Sequence, residues 1–567
     1  MKNKDPKYQS ISRFIFAIII VILVNYISTF LFFRIDLTAE KRYSLSDITK
    51  EELKGLNDIF YIKVYLEGDM PIEYQQMNKA IKELLDEFRV YAGDNIQYEF
   101  INPSDEKNDE IRKKKYLELY NKGLEPKIAE EEDDEGGKIE KVLFPGALVI
   151  YNNVEFPLNL LRDNFGLSTE ININNSIPAL EYEFIKAIKN LNIKEIPKIA
   201  FIEGHGELNE MQVGDISKEL ANYYQVDRGM INGKIDILDG YKAVIVAKPM
   251  EKFSEQDKLV LDQYIMNGGK ILWCVDAVYA DMDSLAQGMT FGLINPVNLD
   301  DILFKYGVRL NPNIVKDMQC AILPVNTALA GDPPKFAPAQ WVYFPLVYPR
   351  ADHPVSKNLN LVKMEFPGSI DTVGSNSLVK KHFLLTTSMY SKVVNAPAMI
   401  SLDEIKNKPH PEAYNNPHQN VAVLLEGEFE SVFKNRMIND IIKGASNGYK
   451  SKSIPTRMVV ISDGDIIRNE VRNLAQGPLI TPLGYDRYSK QTFGNKEFLL
   501  NVINYLAGDA DLMTLRGREL KLRLLDKAKY KGHESKWQLI NTLIPVLIIL
   551  IFGVLYNNIR KRRFTKQ

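Results

Sequence analysis

Lys198–Glu207 reads KIAFIEGHGE: an apolar strand that breaks at once into a polar, glycine-bearing turn. The pattern recurs. Ala243–Ala247 (AVIVA) and Ile271–Val275 (ILWCV) are short apolar runs, and the second ends at Asp276. Helical stretches lie between them, Asp215–Tyr224 and Glu255–Met266; Ser254 caps the latter and Asn267-Gly268-Gly269 ends it. Apolar strands that alternate with helices are buried on both faces and predict a parallel, doubly wound sheet. Val421–Leu425 and Met458–Ser462 read as later strands of that sheet, and Glu497–Leu506 as a closing helix. Residues 320–430 differ. They are proline-rich (Pro333-Pro334, Pro338, Pro345, Pro349) with several short strands, and are read as a β-rich insertion or edge extension within a unit spanning 196–510.

Upstream, residues 34–190 form a second α/β unit. Ile59–Leu66 and Ile96–Ile101 read as strands, and Tyr74–Tyr91 carries Met77, Ile81, Leu84, Leu85 and Phe88 at helical spacing. Asp109–Asn121 is a charged helix. Ala147–Tyr151 and Val154–Leu161 flank Asn152-Asn153, a two-residue hairpin signal. Ser176 is expected to cap a helix to about Asn190. The order βαβαββα is that of a thioredoxin-like fold, with Pro145 where such folds often hold a cis proline. The acidic run Glu130–Glu135 reads as a solvated loop.

Both ends carry long apolar runs. Residues 14–33 and 537–556 are each free of charge over twenty residues, enough to cross about 30 Å of hydrocarbon. Both are expected to be transmembrane helices, the first an uncleaved anchor, since no small-residue cleavage site follows it. The tails 1–13 and 557–567 are basic, which predicts both termini in the cytoplasm and the bulk of the chain outside it. Asn25 and Asn541 lie within the spans and are expected to face other helices. Residues 511–536 form a basic juxtamembrane segment, with Leu512–Lys531 an amphipathic helix suited to lipid headgroups or a partner.

The chain of 567 residues has 71 Lys and Arg against 73 Asp and Glu, a net charge of −2 that argues against a nucleic-acid partner. Its 45% hydrophobic residues exclude a mainly disordered chain, and a mean hydropathy of −0.20 excludes a polytopic channel. The two cysteines, Cys274 and Cys320, form no CxxC, which excludes a disulfide framework, a cysteine-type zinc site and a thioredoxin-type redox pair. There is no phosphate-binding loop of the ATPase type; Gly268-Gly269-Lys270-Ile271 lacks its spacing and hydroxyl. Gly444-Ala445-Ser446-Asn447-Gly448 matches a nucleophile elbow only formally, since no strand precedes it. The sheet unit has a glutamine-amidotransferase-like architecture, but Cys274 lies inside a strand pattern and not on an elbow, so that reading is non-catalytic. No metal or cofactor is expected. His205, Glu207, Asp276, Asp463 and Asp465 sit at or just past strand ends, where open α/β sheets hold ligands. They are the candidate pocket residues. The competing structural reading makes the glycines tight turns and the polar groups helix caps.

Several stretches carry a family resemblance. Asp36–Ser46 (DLTAEKRYSLS), Val64–Asp69 (VYLEGD), Leu84–Tyr91 (LLDEFRVY), Gln97–Ser104 (QYEFINPS), Phe144–Tyr151 (FPGALVIY), Gly204–Glu207 and Phe493–Leu506 (FGNKEFLLNVINYL) occur in order over nearly the whole chain. Together they resemble the GldG family, gliding-motility-associated ABC transporter auxiliary proteins of Bacteroidetes-type bacteria. The resemblance implies an inner-membrane protein with a large periplasmic domain. Its implied partners are a GldF-like permease and a GldA-like ATPase, and it implies no catalytic residues. Two other functions compete: a membrane-tethered hydrolase or amidotransferase-like enzyme using the GHGE turn, and a stand-alone solute receptor.

Overall fold

The computed structural model describes residues 14–23, 44–132, 138–162, 167–193, 195–326, 333, 335–374, 378–406, 409–441, 448–474, 477–508, 510–516 and 534–564. Tyr43–Arg518 make one compact unit, and the two terminal segments belong to another.

The first sheet uses β1 (Phe60–Val64), β2 (Ile96–Phe100), β5 (Gly146–Tyr151) and β6 (Val154–Asn159) in the order β2-β1-β5-β6. β1 and β2 are parallel; β5 is antiparallel to both β1 and β6. Asn152 and Asn153 take φ of 49° and 65°, the left-handed pair that a two-residue hairpin turn requires. The helix Ile72–Ala92 buries Met77, Ile81, Leu85 and Phe88 at the expected spacing. Three local expectations fail. Glu130–Glu132 are not loop; they belong to β3 (Lys127–Glu132), which pairs with β4 (Lys138–Leu143) because Ile128 and Ala129 continue into a ladder opposite Val142 and Lys141. Ser176 caps no helix: Ser168 caps Thr169–Ser176, and the helix Leu180–Asn192 follows a turn of tighter helix without a side-chain cap. The Ser176 hydroxyl instead donates to Asn172 O. Phe144–Pro145 is not cis; Gly146 N donates to Phe144 O at 2.7 Å, so a tight turn makes the bend there. The cis peptide among the described residues is Ala396–Pro397.

The second sheet has ten strands. In chain order they are β7 (Lys198–Glu203), β8 (Gln225–Met230), β9 (Tyr241–Ala247), β10 (Ile271–Cys274), β15 (Cys320–Asn326), β16 (Phe336–Pro349), β17 (Val362–Lys363), β19 (Val379–Thr386), β22 (Asn420–Gly427) and β23 (Thr456–Ile461). Smaller ladders outside it use β11 (Val278–Tyr279), β12 (Met289–Ile294), β13 (Val308–Leu310), β14 (Asn313–Asp317), β18 (Ile370–Thr372), β20 (Ser391–Asn395) and β21 (Ala398–Ser401). The order across the large sheet is β15-β16-β19-β22-β23-β10-β9-β7-β8, with β17 beside β16.

The wholly parallel sheet is corrected to a mixed one. β23, β10, β9, β7 and β8 are parallel, while β22, β19, β16 and β15 extend the sheet antiparallel. The proline-rich stretch therefore forms half of the large sheet. It joins at the β23 edge through strands that need no crossover helix.

Successive residues of the parallel strands point to opposite faces. Phe201, Ile245, Leu272 and Val459 pack with Phe498, Val502 and Ile503 of the helix Asn495–Ala507; Ile202, Val246, Trp273 and Val460 pack with Val260 and Ile265 of the helix Glu255–Met266. The first of these cores is continuous with the core under Ile72–Ala92.

At the ends, Phe14–Leu23 is helical, and residues 24–33, Asn25 included, lie outside the described residues. Glu534–Phe564 is a helix of 31 residues, of which Ser535–Arg562 is long and apolar enough to cross a membrane by length and composition. Asn541 is exposed on it. Of the expected basic helix Leu512–Lys531, the described part ends at Arg516 in the helix Ala510–Arg516.

Candidate functional site

β7, β9, β10 and β23 run parallel, so their C-terminal ends share one edge of the sheet. There the chain leaves β7 through Gly204–Glu207, β9 through Lys248, β10 through Asp276 and β23 through Asp463-Gly464-Asp465. All five expected residues stand on this edge, but their contacts fall into two groups.

The first group centres on Lys248. Its Nζ lies 2.5 Å from Asp465 Oδ2 and 3.7 Å from Asp276 Oδ2. Backbone amides hold the carboxylates in place. Gly464 N donates to Asp276 Oδ1 at 2.6 Å, Asp465 N to Asp463 Oδ1 at 2.7 Å, and Glu365 N to Asp463 Oδ2 at 2.9 Å. Lys248 has a φ of 55°, uncommon for a side-chain-bearing residue. It packs on Gly464 so closely that a Cβ there would sit 2.5 Å from Lys248 Cγ, so the position demands glycine. Burial pushes Asp276 up to about 6 despite the attraction of Lys248. Burial, then the charges of Asp276 and Asp465, push Asp463 far above the carboxylate range. Burial also raises Asp465, outweighing Lys248 and Arg468. Burial pulls Lys248 down, but Asp276 and Asp465 outweigh it and hold the ammonium above its ordinary value.

The second group is the GHGE turn. His205 Nδ1 is 3.0 Å from Glu207 Oε1, and His205 N donates to Glu207 Oε2 at 2.6 Å. Its Nε2 lies 3.3 Å from Asp257 Oδ2, and the ring stacks on Phe253 with centroids 3.7 Å apart. The His205 carbonyl accepts from Met250 and Glu251. Gly204 and Gly206 take φ of 108° and 74°. The His205 ring and the Glu207 carboxylate are thus engaged with one another and, through His205, with Asp257. Burial lowers the His205 pKa, but Glu207 and Asp257 outweigh it and the net shift is upward.

Beside the first group lies a polar cleft of about 380 Å³. Its walls include Lys363, Glu365, Asp465, Arg468, Asp486 and Arg487; of the five expected residues only Asp465 lines it. Arg468 reaches both Asp465 Oδ1 at 2.8 Å and Glu365 Oε2 at 3.0 Å, and Lys363 lies 3.3 Å from Glu365 and 3.6 Å from Asp486. Burial opposes the ionisation of Glu365, yet Lys363 and Arg468 hold it below the usual range. These ion pairs join the charged side chains of the cleft to one another. Cys274 and Cys320 are both buried, and burial raises both thiols, Cys320 to about 12, so neither is a thiolate nucleophile at neutral pH. No group of three or more His, Cys, Asp or Glu among the described residues is placed to hold a metal. Ser446 lies outside the described residues.

Lys248 was readable in principle, since it ends AVIVA as Asp276 ends ILWCV. Lys363 and Glu365 come from the antiparallel half of the sheet and Asp257 from a helix, and no local pattern marks them.

A second buried charge cluster had no sequence signal at all. Arg516 lies on the helix Ala510–Arg516 and is almost fully buried. It donates to Glu497 Oε1 at 2.6 Å and to Val355 O at 3.4 Å. Arg162, from the N-terminal unit, lies 2.7 Å from Glu183 and 3.5 Å from the same Glu497. Tyr182 OH donates to Met513 Sδ at 3.1 Å. The helix Ala510–Arg516 is thus tied to both sheets.

The family described as an ABC-type uncharacterized transport system matches residues 196–502, more than half of the chain. The chain belongs to this ABC transporter auxiliary family. A domain of unknown function matches residues 39–150. An uncharacterized protein of Borreliella burgdorferi (strain ATCC 35210 / DSM 4680 / CIP 102532 / B31) is 23% identical over 536 residues, covering 89% of this chain and 96% of its own. Among solved structures, the mmIFT52 N-terminal domain aligns with 55% of this chain and 98% of its own length, at 13% identity and a TM-score of 0.31.

Proposed function

We propose that this chain is a non-enzymatic, membrane-anchored auxiliary subunit of an ABC transport system of the gliding-motility-associated kind. In this reading a GldF-like permease and a GldA-like ATPase are its partners. Both termini are cytoplasmic, and residues 34–536 lie on the periplasmic side of the inner membrane. The N-terminal unit is a thioredoxin-like scaffold without redox chemistry, and the larger unit is an amidotransferase-like scaffold without a nucleophile.

The observation that carries this reading is the buried tie at Arg516. The last described helix before Glu534–Phe564 is held to Glu497 of the large unit, and Glu497 also meets Arg162 of the small one. A movement entering through that helix reaches both sheets, which suits a chain that transmits motion from an ATPase elsewhere. The absent phosphate-binding loop and the mutually paired strand-end charges agree. Purification of the full chain in mild detergent should bring a permease and an ATPase with it. Recovery of the chain alone would count against the proposal. A flexible Gly/Ser insertion after Lys531 should abolish function while folding and membrane insertion persist.

One observation favours a second reading, a solute receptor: the cleft lined by Lys363, Glu365, Asp465 and Arg468. Asp276 and Asp463 would support its floor, with His205 and Glu207 bracing the neighbouring turn. A thermal-shift screen of polar metabolites separates the readings. A ligand at 100 times its dissociation constant adds about 2.7 kcal/mol of stability, and a screen without a shift leaves the auxiliary role.

A further inference from the structure

β2 (Ile96–Phe100, IQYEF) stands at an edge of the first sheet, with β1 on one side of it. Ile101 N donates to Val64 O at 2.8 Å. Backbone groups alternate in direction along a strand, so Gln97 and Glu99 turn theirs to β1, and Ile96, Tyr98 and Phe100 turn their N–H and C=O away from it. Among the described residues these outward groups have no hydrogen-bond partner. An open edge is a template for another strand, and native sheets blunt such edges with proline, charge or a bulge. The other edges here are blunted. Leu160 N donates to Pro145 O, so the outward row of β6 holds Pro157, which has no N–H. β15 carries Pro324 and a bulge between Cys320 and Ile322. Gln225 N donates to Pro197 O, so β8 turns Val226, Arg228 and Met230 outward, and two copies paired there would set Arg228 against Arg228. β2 has neither proline nor bulge.

The order of residues along β2 selects a second copy of this chain. A symmetric antiparallel pair must bring outward groups to outward groups, so its axis falls on Ile96, Tyr98 or Phe100. An axis at Tyr98 uses the whole strand. It sets Tyr98 against its own copy, Ile96 against Phe100 and Gln97 against Glu99, and each outward residue exchanges both of its backbone hydrogen bonds with its opposite. The exposed Gln97 amide can donate to the Glu99 carboxylate, which faces Lys63 at 3.7 Å and keeps further acceptor sites. On the helix side the same axis meets two opposite charges. Asp86 Oδ1 accepts from Tyr98 OH at 2.5 Å, and the Arg89 guanidinium lies 5.9 Å from the Tyr98 ring centre. Both residues are exposed on the helix Ile72–Ala92. A two-fold axis at Tyr98 reverses that helix in the partner and brings Asp86 of one copy toward Arg89 of the other, twice. The remaining charges nearby are mixed: Lys79 pairs with Glu83 at 3.9 Å, and Lys82 and Asp94 have opposite signs.

We propose that two copies of this chain pair antiparallel through β2, centred on Tyr98, and join their first sheets into one continuous sheet. An unrelated extended segment would gain the backbone bonds of the edge but not the Gln97–Glu99 and Asp86–Arg89 matches. The pairing goes beyond the transport role and stands or falls without it.

The test uses the full chain in detergent, with Gln97→Cys in copies bearing one tag and Glu99→Cys in copies bearing another. The native Cys274 and Cys320 are buried and stay out of the reaction. Under mild oxidation the two variants should join by a disulfide about tenfold faster than two copies of either variant alone, because the register sets position 97 opposite position 99. Analytical ultracentrifugation supplies the second arm. Asp86→Arg should raise the dimer dissociation constant about tenfold, since the two-fold axis counts each like-charge contact twice. Adding Arg89→Asp to that variant should restore most of the affinity, because the swapped charges are complementary again. The melting temperature of each dilute variant checks that its fold is intact. A chain that stays monomeric at every concentration overturns the proposal. So does a dimer in which the disulfide forms equally fast in all three combinations, or one that folded Asp86→Arg leaves undiminished.

Discussion

The molecule buries two charge clusters of opposite excess. At the strand-end edge, Asp276 and Asp465 pair with Lys248, Asp463 lies beside those two carboxylates, and Arg468 pairs with Asp465. Under the helix Ala510–Arg516, Arg162, Lys186 and Arg516 outnumber Glu183 and Glu497. Burial opposes the charge of the surplus members in both, although Arg162 still ends above its ordinary value because Glu497 and Glu183 outweigh its burial. Burial raises all three aspartates in the first cluster. In the second, burial lowers Lys186 and Arg516, while Glu183 ends below its ordinary value because Arg162 and Lys186 outweigh its own burial. Lys248 and Glu183 are shifted toward their ionised forms, because the opposite charges beside them outweigh burial. A buried cluster therefore depends most on its minority members, and removing one should do more damage than removing a member of the surplus.

The largest effect should come from Glu497→Ala. It leaves Arg516 buried without its carboxylate and takes from Arg162 one of two partners, with an expected loss of about 3–5 kcal/mol in urea unfolding. A loss below about 1 kcal/mol would show that the tie between the units is not energetic. Lys248→Met should follow, at about 2–4 kcal/mol at pH 7. Part of that loss should be recovered on acidification, because the stranded carboxylates take up protons in the folded state and a raised folded-state pKa contributes stability that fades as pH rises.

His205→Ala tests the GHGE turn as structure. The lost stacking and hydrogen bonds should remove about 1–3 kcal/mol. The folded-state pKa of His205 is raised, so its ion-pair contribution is complete below the ordinary histidine range and vanishes as pH rises through the raised value. The penalty should be larger at pH 6 than at pH 9, as thermal melts can measure. The smallest effect belongs to Asp276→Asn, a surplus member. Asp276 is pushed up to about 6, so it is mostly ionised at neutral pH but holding that charge in the fold costs stability, and the substitution removes this cost along with the attraction to Lys248. The amide still accepts from Gly464 N, and stability at pH 7 should change by less than about 1 kcal/mol. The slope of stability between pH 4 and 6 should flatten. A larger loss than for Lys248→Met would overturn the minority rule.

The two clusters also differ in how far they could be read in advance. Asp276, Asp463 and Asp465 end apolar strands, and the direction of a parallel strand places its last residue on a known edge. That argument finds the edge without any knowledge of packing. It does not find the division of the five residues into two groups, because contact within an edge depends on side-chain reach and on loops such as Ser254–Asp257. Nor does it find Lys363 and Glu365, which arrive from the antiparallel half of the sheet. The sequence by itself determined the αβ alternation, the hairpin at Asn152-Asn153, the Ser254 cap and the apolar length of 537–556. Each depends on residues within a turn or two of one another, where period, turn chemistry and capping act. Only the tertiary structure decided that the proline-rich stretch doubles the sheet, that Arg516 and Arg162 share Glu497, and that β2 is left at an open edge. Alternation says which residues share a face of a strand, but which strand stands at an edge depends on what the rest of the chain brings beside it.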